Sequence, residues 1–170
     1  QLFPACVNAR PLAVMLNDNS IKDMQKIKLS IIHIIFPLTI GGIIYISFRS
    51  TYLKMFIWFK QIGVGDSVLT LRHQLSGIES ILPRWIYLSL PDGLWVYSFT
   101  SALLIIWENQ FRNAKFWLVF PLLTGIVTEI AQGIKLYPGT FDILDLVFSI
   151  IASLLSIVII NIKYIQNEKG

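Results

Sequence analysis

Long apolar segments alternate with short polar stretches along the chain. A helix needs about 20 mostly apolar residues to cross a bilayer, so each long segment is a candidate transmembrane helix. The pattern predicts an all-α fold, an integral membrane four-helix bundle, with spans at about residues 29–48, 90–107, 116–133 and 143–162.

The connection between the first two predicted spans contains an apolar run that is too short to cross a membrane. Residues 55–59 read MFIWF and lie between Lys54 and Lys60. Aromatic side chains flanked by basic ones are typical of the headgroup region of a bilayer. We therefore predict an interfacial helical segment between the first and second spans.

The first residues differ in composition from the rest of the chain. Residues 1–23 contain several Pro and Asn residues without a clear period, whereas Met24 is followed by lysines and then by the first apolar segment. We expect residues 1–23 to be an unstructured extension, of native or non-native origin, and residues 24–170 to form a single transmembrane domain. A secretory signal peptide is the alternative for the segment after Lys26, but the length of the apolar run favours an uncleaved anchor.

Composition supports the membrane class. Of the 170 residues, 55% are hydrophobic and 14% are charged, whereas soluble domains carry about 25% charged residues. A chain this short cannot bury so much apolar surface in one core. The single Cys6 excludes a disulfide scaffold. Basic residues that meet anionic lipid account for the net charge of +4, so we predict membrane lipid, and no nucleic acid, as a partner.

The basic residues also indicate an orientation. Four spans would place both termini on one side of the membrane, and slightly more Lys and Arg residues near the spans fall on that side. Because cytoplasmic segments are enriched in Lys and Arg, we predict a multi-pass protein of the bacterial inner (cytoplasmic) membrane with both termini in the cytoplasm. The basic residues on the side of the termini are Lys22, Lys26, Lys28, Arg112, Lys115, Lys163 and Lys169. Those on the other side are Arg49, Lys54, Lys60, Arg84 and Lys135.

Polar residues near the membrane converge on one end of this predicted bundle. The start of the second span, the end of the third and the start of the fourth must share one side of the membrane. We call the residues there the acidic mouth: Asp92, Glu129, Gln132, Asp142 and Asp145. With Arg84 as a candidate counter-charge and Trp95 as an aromatic neighbour, they are our candidate ligand-binding residues, since intramembrane acids usually mark a functional site.

Each of these residues also has a purely structural interpretation. Glu129 could be solvated at the interface or pair with Lys135, and Asp142 could cap the fourth helix. Trp95 could anchor the bundle at the headgroups. Carboxylates can bind a hard cation, but nothing in their spacing requires one, and no catalytic motif is present. We predict no metal and no cofactor and assign no catalytic residue.

Small residues follow one face of the fourth predicted span. Ser149, Ser153 and Ser156 recur at helical spacing. Such a stripe allows a neighbouring helix to approach closely. The neighbour could belong to this chain or to a partner protein.

The second half of the chain resembles the VanZ-like family of small bacterial membrane proteins. In that family an acid precedes one span, Glu-x-x-Gln ends the next, and Asp opens the last after a short loop. Here Asp92, the pair Glu129 and Gln132, and residues 139–145 (GTFDILD) match that order. Departures include Thr140 in place of the family's Arg after the loop glycine. The resemblance implies an envelope protein that acts near the extracytoplasmic surface and is associated with low-level resistance to glycopeptides such as teicoplanin.

Three functions follow as hypotheses. The leading one is non-enzymatic binding of an envelope amphiphile or a lipid headgroup at the acidic mouth. A membrane-embedded enzyme that acts on lipid-linked phosphate or glycan is the first alternative, with Glu129 or Asp145 as acid, base or metal ligand. A transporter subunit or assembly partner, which would use the serine stripe to bind an outside helix, is the second.

Overall fold

The computed structural model describes residues 12–108, 110–136 and 141–169, and the regular structure of these residues is entirely helical. Their helices are α1 Leu12–Ser30, a π-helical turn Ile31–Ile35, α2 Phe36–Phe48, α3 Lys54–Gln61, α4 Gly65–Leu75, α5 Arg84–Leu88, α6 Leu90–Ile106, α7 Phe111–Gly133 and α8 Ile143–Lys169.

Helix α1 begins earlier than the sequence suggested. Residues 12–23 are helical and not an unstructured extension, while residues 1–11 lie outside the described part of the chain. The sequence between Leu12 and Phe36 contains neither Gly nor Pro, so nothing in it interrupts a helix that continues into α2. The π-helical turn lies within this continuous rod.

Three helical segments are long and apolar enough to cross a membrane: Ser20–Phe48, Ala114–Gly133 and Ile143–Gln166. They correspond to the first, third and fourth predicted spans. The second prediction coincides with α6, which is apolar but shorter, at 17 residues. At 1.5 Å per residue this helix covers about 26 Å, slightly less than the hydrocarbon core of a typical bilayer. The structure therefore shows a membrane protein with three candidate spans and a fourth, shorter apolar helix.

Helix α6 packs against α2, α7 and α8. It approaches α8 closely, since a Cβ added to Gly93 would lie 3.2 Å from Phe148 Cβ. At the other end of α6, a hydrophobic core is formed by Leu29, Leu104, Ile105, Ala114, Leu118 and Ile160.

The serine stripe of α8 is buried inside the chain. Ser149, Ser153 and Ser156 are all buried, and the Ser156 hydroxyl forms a 2.8 Å hydrogen bond with that of Ser101 on α6. The stripe is thus a packing face, as expected, but the neighbour is a helix of this chain.

Side-chain pairs mark the two ends of the helix assembly. At one end, Lys26 of α1 forms a 2.6 Å ion pair with Glu108, which follows α6. At the other end, Arg49 after α2 pairs with Asp92 in the first turn of α6. The rod formed by α1 and α2 therefore runs in the opposite direction to α6, and the start of α6 lies beside the end of α2.

Helices α3 and α4 form a small unit beside the end of α2. They pack against each other, and α4 also packs against α2. Arg72 of α4 donates a hydrogen bond to the Ile46 carbonyl, and its guanidinium lies 5.1 Å from the centre of the Phe56 ring on α3. This arginine connects both short helices to the long one.

Candidate functional site

An ion pair between Arg49 and Asp92 borders the acidic mouth. Arg49 is the extended residue that ends α2, and Asp92 follows Leu90 and Pro91 in the first turn of α6. Arg49 Nη2 donates to Asp92 Oδ2 at 3.1 Å and to the Leu88 carbonyl at 2.9 Å. The two side chains are 28% and 31% exposed, so the pair is largely shielded from solvent.

The Glu129 side chain forms a hydrogen bond at the connection between α7 and α8. Glu129 is only 7% exposed, and its carboxylate accepts a 2.9 Å hydrogen bond from the backbone N–H of Asp142. Asp142 in turn accepts a 2.9 Å hydrogen bond from the N–H of Leu144 and caps α8, which confirms the capping interpretation. Within the described residues, Glu129 forms no ion pair with Lys135.

Asp145 faces Ser89, the residue between α5 and α6. The Ser89 side chain is 0% exposed and lies next to the Asp145 carboxylate. Even so, neither Ser89 Oγ nor Asp145 Oδ1 has a hydrogen-bond partner of ordinary geometry among the described residues, and the same holds for Arg49 Nε. We call Arg49 Nε, Ser89 Oγ and Asp145 Oδ1 the three open atoms, where open refers to the unmet hydrogen bond, since all three atoms are buried.

The charged groups of the mouth form one electrostatic unit. Asp92, Glu129 and Asp145 each lie within range of the Arg49 charge, and Asp92 lies within range of both other acids. The structure therefore brings together the four acids of the mouth, Asp92, Glu129, Asp142 and Asp145. Its counter-charge is Arg49.

The remaining predicted residues lie at the periphery. Gln132 is half-buried on α7, one turn after Glu129. Arg84 is exposed and forms no ion pair with any described residue, so it is not the counter-charge that we expected. The Trp95 ring lies against Tyr45 of α2, with centroids 5.0 Å apart. It packs between α2 and α6.

Sequence reasoning missed Arg49 and Ser89. Arg49 was treated only as a topology signal, although it directly follows a span whose end faces the start of the second. This position could have predicted the pairing, because a cation at the end of the first span is a neighbour of Asp92 at the start of the second. Ser89 carries no sequence signal of its own, since its importance comes from complete burial beside Asp145.

The described residues contain no group of three His, Cys, Asp or Glu side chains placed to bind one metal ion. The reason is visible in the mouth, where Asp92 is engaged by Arg49, Glu129 by a backbone N–H and Asp142 by its own helix. What the arrangement offers chemically is one free cationic donor, one free carboxylate oxygen and one hydroxyl.

Comparison of the chain with protein families, with characterised proteins and with solved structures found no match.

Proposed function

We propose that the protein is a VanZ-like protein of the bacterial inner membrane that binds the polar headgroup of an envelope amphiphile at the acidic mouth. It binds without catalysing a reaction, and binding affects tolerance to glycopeptide antibiotics. The observation that carries this proposal is the group of three open atoms beside the Arg49–Asp92 pair.

Leaving a buried polar atom without a partner costs about 1–3 kcal/mol. Three such atoms at one place represent a cost that a ligand with complementary groups would recover. The site lies at the ends of helices that are apolar enough to enter a membrane. Because the three open atoms are buried, an amphiphile in the lipid phase would reach them only when the helix ends move apart. Its charged groups suit a polar head, and the surrounding helices suit an apolar tail.

The proposal includes a membrane arrangement with four spans. Helix α5 leads into α6 through Ser89, whose backbone is also helical (φ −100°, ψ −32°), and this extends the apolar rod beyond the 17 residues of α6. The extended rod supports a second crossing, with both termini in the cytoplasm and the acidic mouth on the extracytoplasmic side.

In the same arrangement α3 lies in the headgroup region. Trp58 is 61% exposed and Ile57 is 55% exposed, and Lys54 and Lys60 lie on the same helix. Exposed aromatic and aliphatic side chains with lysines match the composition of interfacial helices.

The test is a double variant, Glu129→Gln with Asp145→Asn, expressed in a host whose glycopeptide tolerance depends on the protein. We expect tolerance to be lost while membrane insertion is retained. A double variant of exposed acids outside the mouth, Asp66→Asn with Glu79→Gln, is the matched control and should behave as wild type. Unchanged tolerance in a correctly inserted mouth variant would refute the proposal.

One observation favours an enzyme as the second candidate. The Ser89 hydroxyl lies beside the Asp145 carboxylate. In this arrangement the carboxylate can accept the hydroxyl proton while the serine oxygen attacks a lipid-linked phosphate or glycan. The bond from the attacked phosphorus or carbon to the leaving oxygen breaks, and water supplies the proton that the leaving group takes up. Ser89→Ala separates the two candidates. It would abolish turnover of such a substrate by an enzyme, whereas a binding protein would lose one of three contacts and be weakened but not inactivated.

A further inference from the structure

Helices α3 and α4 line a cavity that is separate from the acidic mouth. Its volume is about 290 Å³, just below the range of about 300–1,000 Å³ that is usual for small-molecule sites. Phe56 is buried and Val68 is half-buried in its wall. Tyr52, Ile57 and Leu69 also line it and are exposed, so the cavity is open to the surroundings. A wall of this kind suits a hydrocarbon chain.

The cavity has a cation at its wall. Of the described residues that line it, Lys60 alone is charged. The Lys60 side chain lies against Gly65, because a Cβ added to that glycine would lie 3.0 Å from Lys60 Cγ. Lys60 forms no ion pair with any described residue, and the next acid along the chain, Asp66, is exposed to solvent. The lysine is therefore able to bind an anion beside the apolar wall.

The position of α3 and α4 decides what can fill the cavity. Helix α4 packs against α2, which ends the candidate span Ser20–Phe48. Arg72 of α4 donates a hydrogen bond to the carbonyl of Ile46, in the last turn of that span. The two short helices therefore lie at the depth where a bilayer changes from acyl chains to headgroups. The molecules at that depth are lipids, in which apolar chains are joined to charged phosphates.

We propose that the cavity between α3 and α4 binds an anionic phospholipid, with part of one acyl chain against Phe56 and Val68 and the phosphate paired with Lys60. One amphiphile thus covers the apolar wall and neutralises the lysine. Arg72 does not take part, because its guanidinium already contacts the Ile46 carbonyl and the Phe56 ring. This site goes beyond the proposed function, since it does not depend on the ligand of the acidic mouth.

Other occupants fit the cavity less well. A helix with its side chains is about 10 Å across, which is too wide for a cavity of about 290 Å³. A water-soluble anion would pair with Lys60 and leave the apolar wall uncovered. A lipid without net charge would cover the wall and supply less attraction to the lysine.

The test measures lipid binding to the purified full-length protein in detergent by native mass spectrometry, which counts the lipids retained on each protein molecule. The probes are oleoyl lysophosphatidylglycerol, which is anionic, and oleoyl lysophosphatidylcholine, which has the same chain and no net charge. We expect one saturable site for the glycerol lipid and about fivefold weaker binding of the choline lipid, the factor that corresponds to one lysine beside an anionic lipid.

Two variants test the assigned contacts, each with a matched control. Lys60→Gln should weaken binding of the glycerol lipid about fivefold. Lys54→Gln removes an exposed lysine of the same helix that does not line the cavity, and it should bind as wild type. Val68→Phe fills the cavity and should weaken binding of both lipids. Val127→Phe is its control, since Val127 is exposed on α7.

Several outcomes would overturn the inference. Equal affinity for the two lipids, or equal effects of Lys60→Gln and Lys54→Gln, would show that Lys60 does not hold the phosphate. Full binding by a folded Val68→Phe would show that the chain lies elsewhere, and if this variant does not fold, the two lysine variants decide. Loss of the lipid in the double variant Glu129→Gln with Asp145→Asn, but not in Lys60→Gln, would place it at the acidic mouth. That result would overturn this inference and support the proposed function.

Discussion

Arg49 and Asp92 join the end of one long helix to the start of the central one through a 3.1 Å ion pair that is mostly shielded from solvent. The same guanidinium donates to the Leu88 carbonyl and lies 5.2 Å from the centre of the Tyr45 ring. One side chain thus fixes the relative position of α2, α5 and α6. The mouth depends on this contact, because Asp92 would otherwise be a half-buried carboxylate without a counter-charge.

Replacing Arg49 by Gln should therefore destabilise the folded protein. Removing one partner of a shielded pair leaves the other charge uncompensated, and partial exposure of both groups reduces the effect to about 1–2 kcal/mol. The measurement is the free energy of unfolding in detergent. Arg84→Gln removes an exposed arginine from the same side of the molecule and should change it by less than about 0.5 kcal/mol. Equal effects of the two substitutions would show that the ion pair does not stabilise the fold.

The buried hydroxyls between α6 and α8 give a second prediction. Ser101→Ala breaks the hydrogen bond to Ser156 and should cost about 0.6 kcal/mol, the average for such bonds between membrane helices. Thr100 is also fully buried, but its hydroxyl has no partner among the described residues. Thr100→Val keeps the shape and removes that unsatisfied group, so it should be neutral or stabilising.

Thermal unfolding of both variants in the same detergent distinguishes these effects. A double-mutant cycle with Ser156→Ala assigns the cost to the pair, because the second substitution should add almost nothing to the first. Additive costs for Ser101→Ala and Ser156→Ala would contradict a direct hydrogen bond.

The close approach of α6 to α8 gives a third prediction. Gly93→Ala places a methyl group 3.2 Å from Phe148 Cβ and 3.4 Å from its carbonyl oxygen, atoms that cannot move independently of the helix. Overpacking of this kind costs about 1–3 kcal/mol. Gly42→Ala is the matched control, because an added Cβ there meets no atom of the described residues within 4 Å. We expect Gly93→Ala to lower the unfolding temperature and Gly42→Ala to leave it unchanged. The opposite order would show that the helices are not packed at this distance.

The apolar segments were readable from the sequence because membrane solvation imposes a minimum length on a spanning helix. That constraint identified three spans, and it also placed the acids of the mouth at one end. Helix α6, which coincides with the second predicted span, falls short of that length because it carries Asp92 and three buried hydroxyl residues. The helical start at Leu12 was missed because Asn and Asp residues weaken the helical pattern of residues 12–23 without breaking it.

The sequence could not predict in the same way which residues pair within the mouth. Arg84, Lys135 and Arg49 were all basic residues on the expected side, and sequence distance favoured the first two. Three-dimensional position determines which of these residues pairs with Asp92. The extended backbone of Arg49 (ψ 156°) ends α2 next to the first turn of α6. Burial of Ser89 depends on the packing of several helices, and no local pattern encodes it.

The ion pair at the opposite end of the molecule gives a pH-dependent prediction. The Lys26 ammonium donates a 2.6 Å hydrogen bond to Glu108 and holds the pKa of this carboxyl below its ordinary value. A carboxyl with a lowered pKa stabilises the folded state above its unfolded pKa, and that contribution is lost as the pH falls through the folded value. Wild type should therefore be more stable than Glu108→Gln at about pH 7, and the difference should shrink steadily as the pH falls below the ordinary Glu pKa of about 4.3. Because the Glu108 side chain is 53% exposed, added salt should reduce the difference at neutral pH.

The measurement is the unfolding temperature of both proteins across this pH range, at low and high salt. Glu79→Gln is the control, since Glu79 is exposed and forms no ion pair with a described residue, and it should show no comparable difference. If the gap between wild type and Glu108→Gln instead grew as the pH fell, the carboxylate would be destabilising when ionised. The pair with Lys26 would then not hold α1 to the end of α6.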